Sequence, residues 1–453
     1  MQPAPARLRL TIMRNSLRVF AGVTAAALLA AGCGSATAPG PEASQPIVSR
    51  GVAIREPAAD PRPYGAADTA FGLAVLGAWC RADPQANVVF SPASLATGLG
   101  LAYLGARGGT AQAMAAVLHL PVAGGQPLEA GLQARSAALR GLDSAGVTLA
   151  DSDQVWADPS LVTLRSYLNA VATGYGAGVA RVPLLKQPEQ ARGEINSAVA
   201  AATRGQIPQL LPPGSLDGAG WVLTDALYLH AAWATPFDVR QTGPGPFTTA
   251  AGRRVSARFM KGGEFSVAQA AGWTAVRIPY RGGKLAMEAL LPDTAGAGCP
   301  ALSAATLGTI SAGLAAAGQA PGAGSGTGGG SGAGGSGSGM TDIALPKVSL
   351  SSSIRMNGLL SGLGMGVAFG GSADFTGLSP QACCIGFVQH AATLRVAEEG
   401  TVASAATAVG VLPSAVRAPV AEIDFDRPYL LLVTDTGTGE PLFMARVANP
   451  LTG

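Results

Sequence analysis

The sequence predicts a mixed α+β fold, with helices concentrated in the first half of the chain and strands in the second. Residues 190–203 carry apolar side chains at helical spacing. Residues 221–229 are apolar on both faces apart from Thr224 and Asp225, a pattern typical of a central strand that is covered on both sides. Because strands and helices do not alternate regularly, the pattern indicates an α+β arrangement.

Two segments of the second half predict further strands. Residues 284–291 alternate apolar with charged side chains and end at a Pro-Asp pair. Residues 429–433 form a continuous apolar run, and a Gly-rich turn at 435–439 separates them from a second apolar run at 442–447. This spacing predicts a β-hairpin near the end of the chain.

The composition excludes several classes of function. The chain has 453 residues, a formal net charge of +3 and 13 % charged residues, too little charge for a preference for nucleic acid. Its three histidines, His119, His230 and His390, lie far apart and outside metal-ligand spacing. We therefore expect no metal, no cofactor and no nucleic-acid partner, and the scarcity of histidine argues against most His-dependent hydrolases.

The N-terminus has the features of an export signal. Arg14 and Arg18 precede an apolar stretch at 19–32 that is short for a bilayer span but suits the core of a signal peptide. The stretch ends in Leu-Leu-Ala-Ala-Gly before Cys33 and resembles a bacterial lipobox. We expect an exported protein that is held at the outer face of the cell membrane by lipid on Cys33, or one that is secreted if the motif is a plain signal.

The remaining chain divides into a tether and one folded domain. Residues 34–65 are rich in Pro, Ala, Gly and Ser and predict a flexible tether. Residues 66–453 are expected to form one domain, in which 321–339 is a disordered Gly-rich insertion. Cys80, Cys299, Cys383 and Cys384 could form disulfides after export or stay free, and the sequence leaves this open.

Residues 398–419 need a special explanation. From Thr401 to Val409 every side chain is small or β-branched, and none is charged. With a period of two, Thr401, Ala403, Ala405 and Thr407 share one face of a strand. Gly400 precedes them and can absorb a large change of backbone angles. Both faces are small enough to slide between existing strands, although the segment alone could equally be an Ala-rich linker.

Short motifs in a fixed order resemble the serpin family of protease inhibitors over roughly residues 66–450. The motifs are NVVFSPAS at 87–94, LGARGGT at 104–110, GQIPQLLP at 205–212, LTDALYL at 223–229, LPKV at 345–348, ADFTG at 373–377 and DRPYL at 426–430. The resemblance implies a serpin fold, with three β-sheets, about eight or nine helices and an exposed reactive-centre loop within residues 398–422.

The resemblance also implies a function that is not enzymatic. A serpin inhibits a serine protease as a suicide substrate: the cleaved loop inserts into the main sheet and traps the acyl-enzyme. In family spacing from Gly400, the scissile bond joins Ser414 and Ala415, which favours elastase-like or subtilisin-like targets. Arg417, which would suit trypsin-like enzymes, and Leu412 are the alternatives. A monomer is expected, and the alternative function is a non-inhibitory serpin-fold envelope lipoprotein.

Further residues match positions that control the serpin conformational change. The hinge of the loop corresponds to Glu398, Glu399, Gly400, Thr401, Ala403, Ala405 and Thr407. Ser91, Ser94 and His390 match the "shutter", which governs opening of the sheet, and Trp233 matches the "breach", where the loop enters. The family usually has Asn at the position of Asp225 in the shutter. We therefore hypothesise that an Asp225–His390 pair makes opening of the sheet depend on pH.

Overall fold

The computed structural model of the protein describes residues 46–121, 127–296, 298–319, 341–401 and 422–452. Several predicted features lie outside these residues: the signal peptide with Cys33, the insertion at 321–339, the hinge positions Ala403, Ala405 and Thr407, and the reactive-bond candidates Leu412, Ser414, Ala415 and Arg417. Among the described helices, none is both long and apolar enough to cross a membrane.

Eight α-helices lie within the described ranges, most of them in the first half of the chain. They are α1 Arg62–Ala82, α2 Pro92–Tyr103, α3 Gly108–Val117, α4 Leu128–Arg140, α5 Arg165–Tyr175, α6 Pro188–Ala202, α7 Ala304–Gln319 and α8 Asn357–Leu360. The predicted helix at 190–203 is confirmed as α6. It begins at Pro188, whose fixed φ suits a first turn, and it buries Ile195 and Val199 on one face.

Seventeen strands lie within the same ranges. They are β1 Ile47–Ser49, β2 Val88–Phe90, β3 Val147–Asp151, β4 Gln154–Ala157, β5 Val179–Arg181, β6 Trp221–Ala232, β7 Gly243–Thr248, β8 Arg254–Ala270, β9 Trp273–Pro279, β10 Leu285–Pro292, β11 Thr341–Pro346, β12 Val348–Arg355, β13 Val388–Ala397, β14 Gly400–Thr401, β15 Glu422–Asp424, β16 Tyr429–Asp435 and β17 Pro441–Val447. The predicted hairpin near the end of the chain is confirmed as β16 and β17.

The first sheet, which we call the main sheet, has the strand order β1-β5-β4-β6-β14-β13-β12, and β3 also pairs with β6. Strand β6 is covered on both faces, as its apolar sequence predicts. Val222 and Ala226 pack in one buried cluster with Ile195 of α6. Leu227 and Leu229 point the other way, into the large cluster shared with the second sheet. Alternation of side chains therefore fixes which residues of β6 face the core.

The second sheet has the order β15-β11-β8-β9-β10-β16-β17-β2, with β7 also paired to β8. Strand β8 is 17 residues long. It pairs with β7 and β11 over one part of its length and with β9 over another. Among the described residues, the second and third sheets that the family resemblance implies are thus joined by β8 into one hydrogen-bonded sheet.

The N-terminal segment at 46–61 packs against the domain, so the predicted flexible tether is wrong for residues 46–65. Strand β1 pairs antiparallel with β5 and extends the edge of the main sheet. The backbone N–H of Val52 donates to Asn169 Oδ1 at 2.8 Å, and that of Ile54 donates to Thr173 Oγ1 at 3.0 Å. The composition of the segment did not indicate that side chains of α5 would accept hydrogen bonds from its backbone.

One disulfide joins Cys80 of α1 to Cys299, with the two Cα atoms 5.8 Å apart. Cys383 and Cys384 are both free. The disulfide closes a long loop between the first helix and the segment before α7, so it stabilises the fold chiefly by restricting the unfolded chain.

Candidate functional site

The hinge of the predicted reactive-centre loop already forms a short strand within the main sheet. Gly400 and Thr401 pair antiparallel with β6 on one side and with β13 on the other. Gly400 has φ of 149°, and a Cβ atom there would lie 2.1 Å from the carbonyl oxygen of Ala231. A glycine is therefore required at this close approach. Thr401 is 1 % exposed, and its hydroxyl hydrogen-bonds to the hydroxyl of Tyr280.

Trp233 holds the chain that leads into this strand. Its indole Nε1–H donates to the carbonyl oxygen of Ala397 at 2.8 Å, and its backbone N–H donates to the carbonyl oxygen of Glu399 at 3.0 Å. The indole ring stacks on Tyr280 with the ring centroids 4.5 Å apart. Trp233 and Tyr280 therefore form a buried, stacked aromatic pair, and each of them hydrogen-bonds to the hinge segment.

Glu398 is fixed by an ion pair at the top of the main sheet. Its Oε2 lies 2.7 Å from Nζ of Lys347, which connects β11 to β12. Burial opposes ionisation of the Glu398 carboxyl, but hydrogen bonds, above all the one from Lys347, outweigh it and hold its pKa below the ordinary value. The carboxylate is therefore charged at neutral pH and ties the hinge to the start of β12.

Below the hinge the main sheet is closed. Val388–Ala392 of β13 pair parallel with residues 223–227 of β6. The direct ladder ends at Ala392 and Leu227, whereas the hinge strand pairs at Val396 and Ala231. Three residues on each strand, 228–230 and 393–395, separate the closed ladder from the inserted strand. The opening thus has room for a few more residues before the ladder must be broken.

A buried polar cluster joins the closed strands to α2. Nδ1 of His390 lies 3.2 Å from Oδ1 of Asp225, and His390 Nε2 accepts the backbone N–H of Ser91 at 3.1 Å. Because Nε2 accepts this bond, the hydrogen-bond network assigns the imidazole proton to Nδ1, which faces Asp225. Ser94 Oγ contacts Asp225 Oδ1 and lies 2.9 Å from Asp153 Oδ1.

The same cluster contains a serine, a histidine and an aspartate but is not arranged as a hydrolase triad. His390 meets the backbone nitrogen of Ser91, not its hydroxyl, which instead accepts the N–H of Ser94. Ser91 and His390 are both 0 % exposed, so no substrate can reach them. Within the described ranges, no group of three or more His, Cys, Asp or Glu side chains could hold a metal ion. The cluster is therefore structural.

Comparison with known proteins agrees with this geometry. The profile of the family described as Serpin (serine protease inhibitor) matches residues 66–316 and 334–450. The chain belongs to the serpin family. The leukocyte elastase inhibitor of Sus scrofa is 28 % identical over 390 residues, which cover 85 % of this chain and 99 % of that protein. A serpin-like protein of Thermococcus kodakarensis is 29 % identical over 373 residues, 81 % of this chain and 82 % of that protein.

Solved serpin structures share the fold. The native state of tengpin, a thermophilic serpin, superposes with a TM-score of 0.70 at 22 % identity and covers 89 % of this chain and 100 % of that one. A complex of thyroxine-binding globulin with thyroxine superposes with a TM-score of 0.68 at 21 % identity and covers 85 % and 99 %. The predicted α+β serpin fold is thereby confirmed.

The structure brings the described members of the predicted site into two groups in this serpin. Glu398, Glu399, Gly400 and Thr401 lie with Trp233 at the top of the main sheet, and Ser91, Ser94, Asp225 and His390 lie together lower down. Sequence reasoning missed Tyr280, Lys347 and Asp153, which complete the groups. Lys347 lies in the LPKV motif and is one of few lysines, so its position could have been noticed. Tyr280 and Asp153 lie in no motif.

Proposed function

We propose that this serpin inhibits serine proteases as a suicide substrate and traps the acyl-enzyme by inserting its cleaved loop into the main sheet. The observation that carries the proposal is the pairing of Gly400 and Thr401 between β6 and β13. This pairing sets the register that a longer inserted strand would follow. Each further loop residue would pair with the preceding residue of β6 on one side and the preceding residue of β13 on the other.

Continuing the register gives each loop position a defined neighbour. Since Gly400 pairs with Ala232, Ala405 would lie beside Leu227, Thr407 beside Asp225, and residue 411 beside Trp221. Residues 400–411 would therefore match the 12 residues of β6. At about 3.4 Å per residue, the insertion spans roughly 40 Å. The predicted scissile bond after Ser414 would come to rest just beyond the far end of the sheet.

The chemistry of the loop suits this movement. Thr401 faces the core, so Ala403, Ala405 and Thr407 would follow it on the same side. All are small, and residues 401–412 contain neither proline nor a charged side chain. Each new backbone hydrogen bond contributes about 0.5–1.5 kcal/mol. A dozen such bonds favour insertion by roughly 10 kcal/mol before packing is counted.

For the target, we favour cleavage between Ser414 and Ala415 by an elastase-like or subtilisin-like protease, because a small residue suits a small primary pocket. Several relatives bear the name leukocyte elastase inhibitor. Cleavage after Arg417 by a trypsin-like enzyme is the competing choice. A non-inhibitory binding role is the second candidate function, because thyroxine-binding globulin shares this fold and binds thyroxine.

For the location, we propose export and attachment to the outer face of the cell membrane through lipid on Cys33. The Cys80–Cys299 disulfide supports export, because such bonds persist in oxidising compartments.

A protease panel tests the function. The protein is mixed with pancreatic elastase, subtilisin and trypsin, and the products are resolved by SDS gel and mass spectrometry. We expect a covalent, SDS-stable complex with elastase or subtilisin and release of a peptide that begins at Ala415. A complex with trypsin alone, with a peptide that begins at Ala418, would show that the scissile bond follows Arg417 and not Ser414. Clean loop cleavage without any complex would favour the non-inhibitory function.

A further inference from the structure

The N-terminal segment enters the main sheet at the end opposite the hinge. Ile47 pairs with Arg181, Arg181 with Ala157, and Ala157 with Trp221, so these four residues form one row across the sheet. Trp221 begins β6, whereas Gly400 pairs with Ala232 at its other end. The two ends of β6 are about 37 Å apart. We call the end with the Ile47 row the N-terminal pole.

Exposed apolar side chains concentrate at and beside this pole. Of the seven large apolar side chains that are exposed in the part of the chain that the structure describes, three lie at this pole: Ile47 at 78 %, Val162 at 57 % and Leu185 at 49 % exposed. Val52 at 67 % and Ile54 at 59 % exposed lie farther along, on the segment that runs from β1 beside α5 away from the pole. Single exposed apolar residues are ordinary on a protein surface, but a concentration of this kind marks an interaction site.

Arg181 connects these side chains into one surface. Its Nε–H donates to Ser49 Oγ at 3.1 Å, and its guanidinium donates to Leu161 O and Thr163 Oγ1 at 3.0 and 2.7 Å. These bonds hold the loop that carries Val162 against strand β1. Gly51 lies directly on the backbone of α5, where a Cβ would approach Leu168 to 2.2 Å. The segment that follows, with Val52 and Ile54, is thereby held along α5.

Basic side chains are interleaved with the apolar ones. Arg50, Arg55, Arg165 and Lys186 are all exposed and each lies within three residues of an exposed apolar side chain. Of the nearby acidic side chains, Asp158 is buried beside Lys186, Glu56 is half-buried, Asp60 and Glu189 pair with Arg62 and Arg192, and Asp217 is exposed. The exposed basic groups outnumber the exposed acidic ones, and exposed apolar groups flanked by an excess of arginine and lysine are the chemistry that binds the interface of an anionic bilayer.

We propose that the N-terminal pole docks on an anionic lipid bilayer. Ile47, Val162 and Leu185 would enter the headgroup region, and Arg165 and Lys186 would contact lipid phosphates. The chain that precedes this pole contains the apolar stretch 19–32 and Cys33. The twelve residues from 34 to 45 span at most about 42 Å when fully extended, so an anchored chain keeps the pole within reach of its membrane.

Docking at this pole leaves the hinge at the end of the main sheet that faces away from the membrane. The proposal does not depend on inhibition, although it has a consequence for it. Insertion of the cleaved loop would carry a protease toward the docked pole. Because few apolar side chains enter the headgroups, we expect the contact to be weak, salt-sensitive and displaceable by a trapped protease.

Vesicle flotation tests the proposal with the chain from residue 34 to 453, which carries no lipid and keeps the compact unit Gln45–Gly453. Vesicles of phosphatidylcholine are compared with vesicles that contain phosphatidylglycerol in addition, at low and high salt. We expect at least fivefold stronger binding to the anionic vesicles at low salt and loss of this preference at high salt. Equal binding to both vesicles, or self-association without vesicle binding, would overturn the proposal.

Matched variants locate the contact. Arg165→Ser with Lys186→Ser should weaken binding at least fivefold, whereas Arg253→Ser with Arg254→Ser, an exposed pair elsewhere, should not. Val162→Ser is paired with Val239→Ser, because the two side chains are 57 % and 59 % exposed. Equal losses in test and control variants would contradict docking at this pole. Complex formation with protease, measured on the same variants, should be unchanged and separates this result from a failure of the proposed inhibition.

Discussion

His390 and Asp225 face each other as direct partners where β13 and β6 run parallel, with Nδ1 and Oδ1 3.2 Å apart. An inserted strand that follows the register of Gly400 must separate this pair and would place Thr407 between the two residues. The bond therefore belongs to the uninserted sheet alone. Any change that stabilises the closed arrangement around this pair should slow insertion, and any change that destabilises it should accelerate insertion.

Asp225→Asn is expected to slow loop insertion and to flatten any pH dependence of insertion. Oδ2 of Asp225 is buried and has no hydrogen-bond partner among the described residues. A neutral amide of the same shape removes this buried charge, and an amide costs less to desolvate than a carboxylate. The rate of complex formation is measured against pH, with the exposed Asp217→Asn as control. If the dependence of this rate on pH were unchanged in Asp225→Asn, the hypothesis of a pH-dependent shutter would be contradicted.

Under the proposed function, Gly400→Ala should make this serpin behave as a protease substrate. The added Cβ would lie 2.1 Å from the Ala231 carbonyl oxygen, and the φ of 149° is strained for any side chain. The hinge would leave the sheet, and insertion would lose its starting point. We expect the stoichiometry of inhibition to rise severalfold while the loop is still cleaved. Gly193→Ala, where a Cβ meets nothing within 4 Å, should leave the stoichiometry unchanged.

A pair of loop substitutions tests the register. Ala405→Arg would place a charge on the inward face beside Leu227 and Ala392, both of which are buried. Burying an unpaired charge costs several kcal/mol, so the variant should be cleaved without forming an SDS-stable complex. Val402→Glu would point to the other face, beside the half-buried His230 and the exposed Arg395, and should still form the complex. If only the second variant lost the complex, the register would be shifted by one residue. Equal loss of the complex in both variants would exclude the proposed register.

Particular residues show how far the sequence could predict the site. The alternation of small residues after Gly400, together with the family motifs, predicted the hinge strand, and the apolar run at 221–229 predicted its neighbour β6. Tyr280 was missed because its contact with Thr401 joins distant segments that no local pattern connects. The N-terminal segment was misjudged because its binding depends on side chains of α5, such as Asn169, and not on its own composition.

The sequence patterns did not predict a second buried polar cluster, which is centred on Arg135. Arg135 of α4 lies 2.7 Å from Asp68 of α1 and 2.6 Å from Glu440, in the turn between β16 and β17. It also donates to Thr97 Oγ1 and Ala93 O of α2, each at 2.8 Å. All three charged residues are at most 4 % exposed. One guanidinium thus faces two carboxyl groups in the core and links three helices to the last hairpin.

Burial raises the pKa of Glu440 well above its ordinary value, because the opposing effect of Arg135 is too small to offset it and Asp68 adds a second negative charge. Burial raises the pKa of Asp68 in the same direction, against the effect of Arg135. The folded protein therefore keeps a proton that the unfolded chain releases at an ordinary carboxyl pKa. Stability from this group is present at acid pH and is lost as pH rises through the folded pKa.

Glu440→Gln should reduce the loss of stability at high pH. Glutamine keeps the shape of the side chain and its oxygen can still accept from Arg135, but no proton is left to release. At pH 8 we expect the variant to be more stable than wild type by about 1–3 kcal/mol, and near pH 4 to be no more stable. Thermal midpoints measured from pH 4 to 9 test this, with Glu189→Gln at the surface as control. A variant that is destabilised at every pH would show that Glu440 is needed as a carboxylate partner of Arg135.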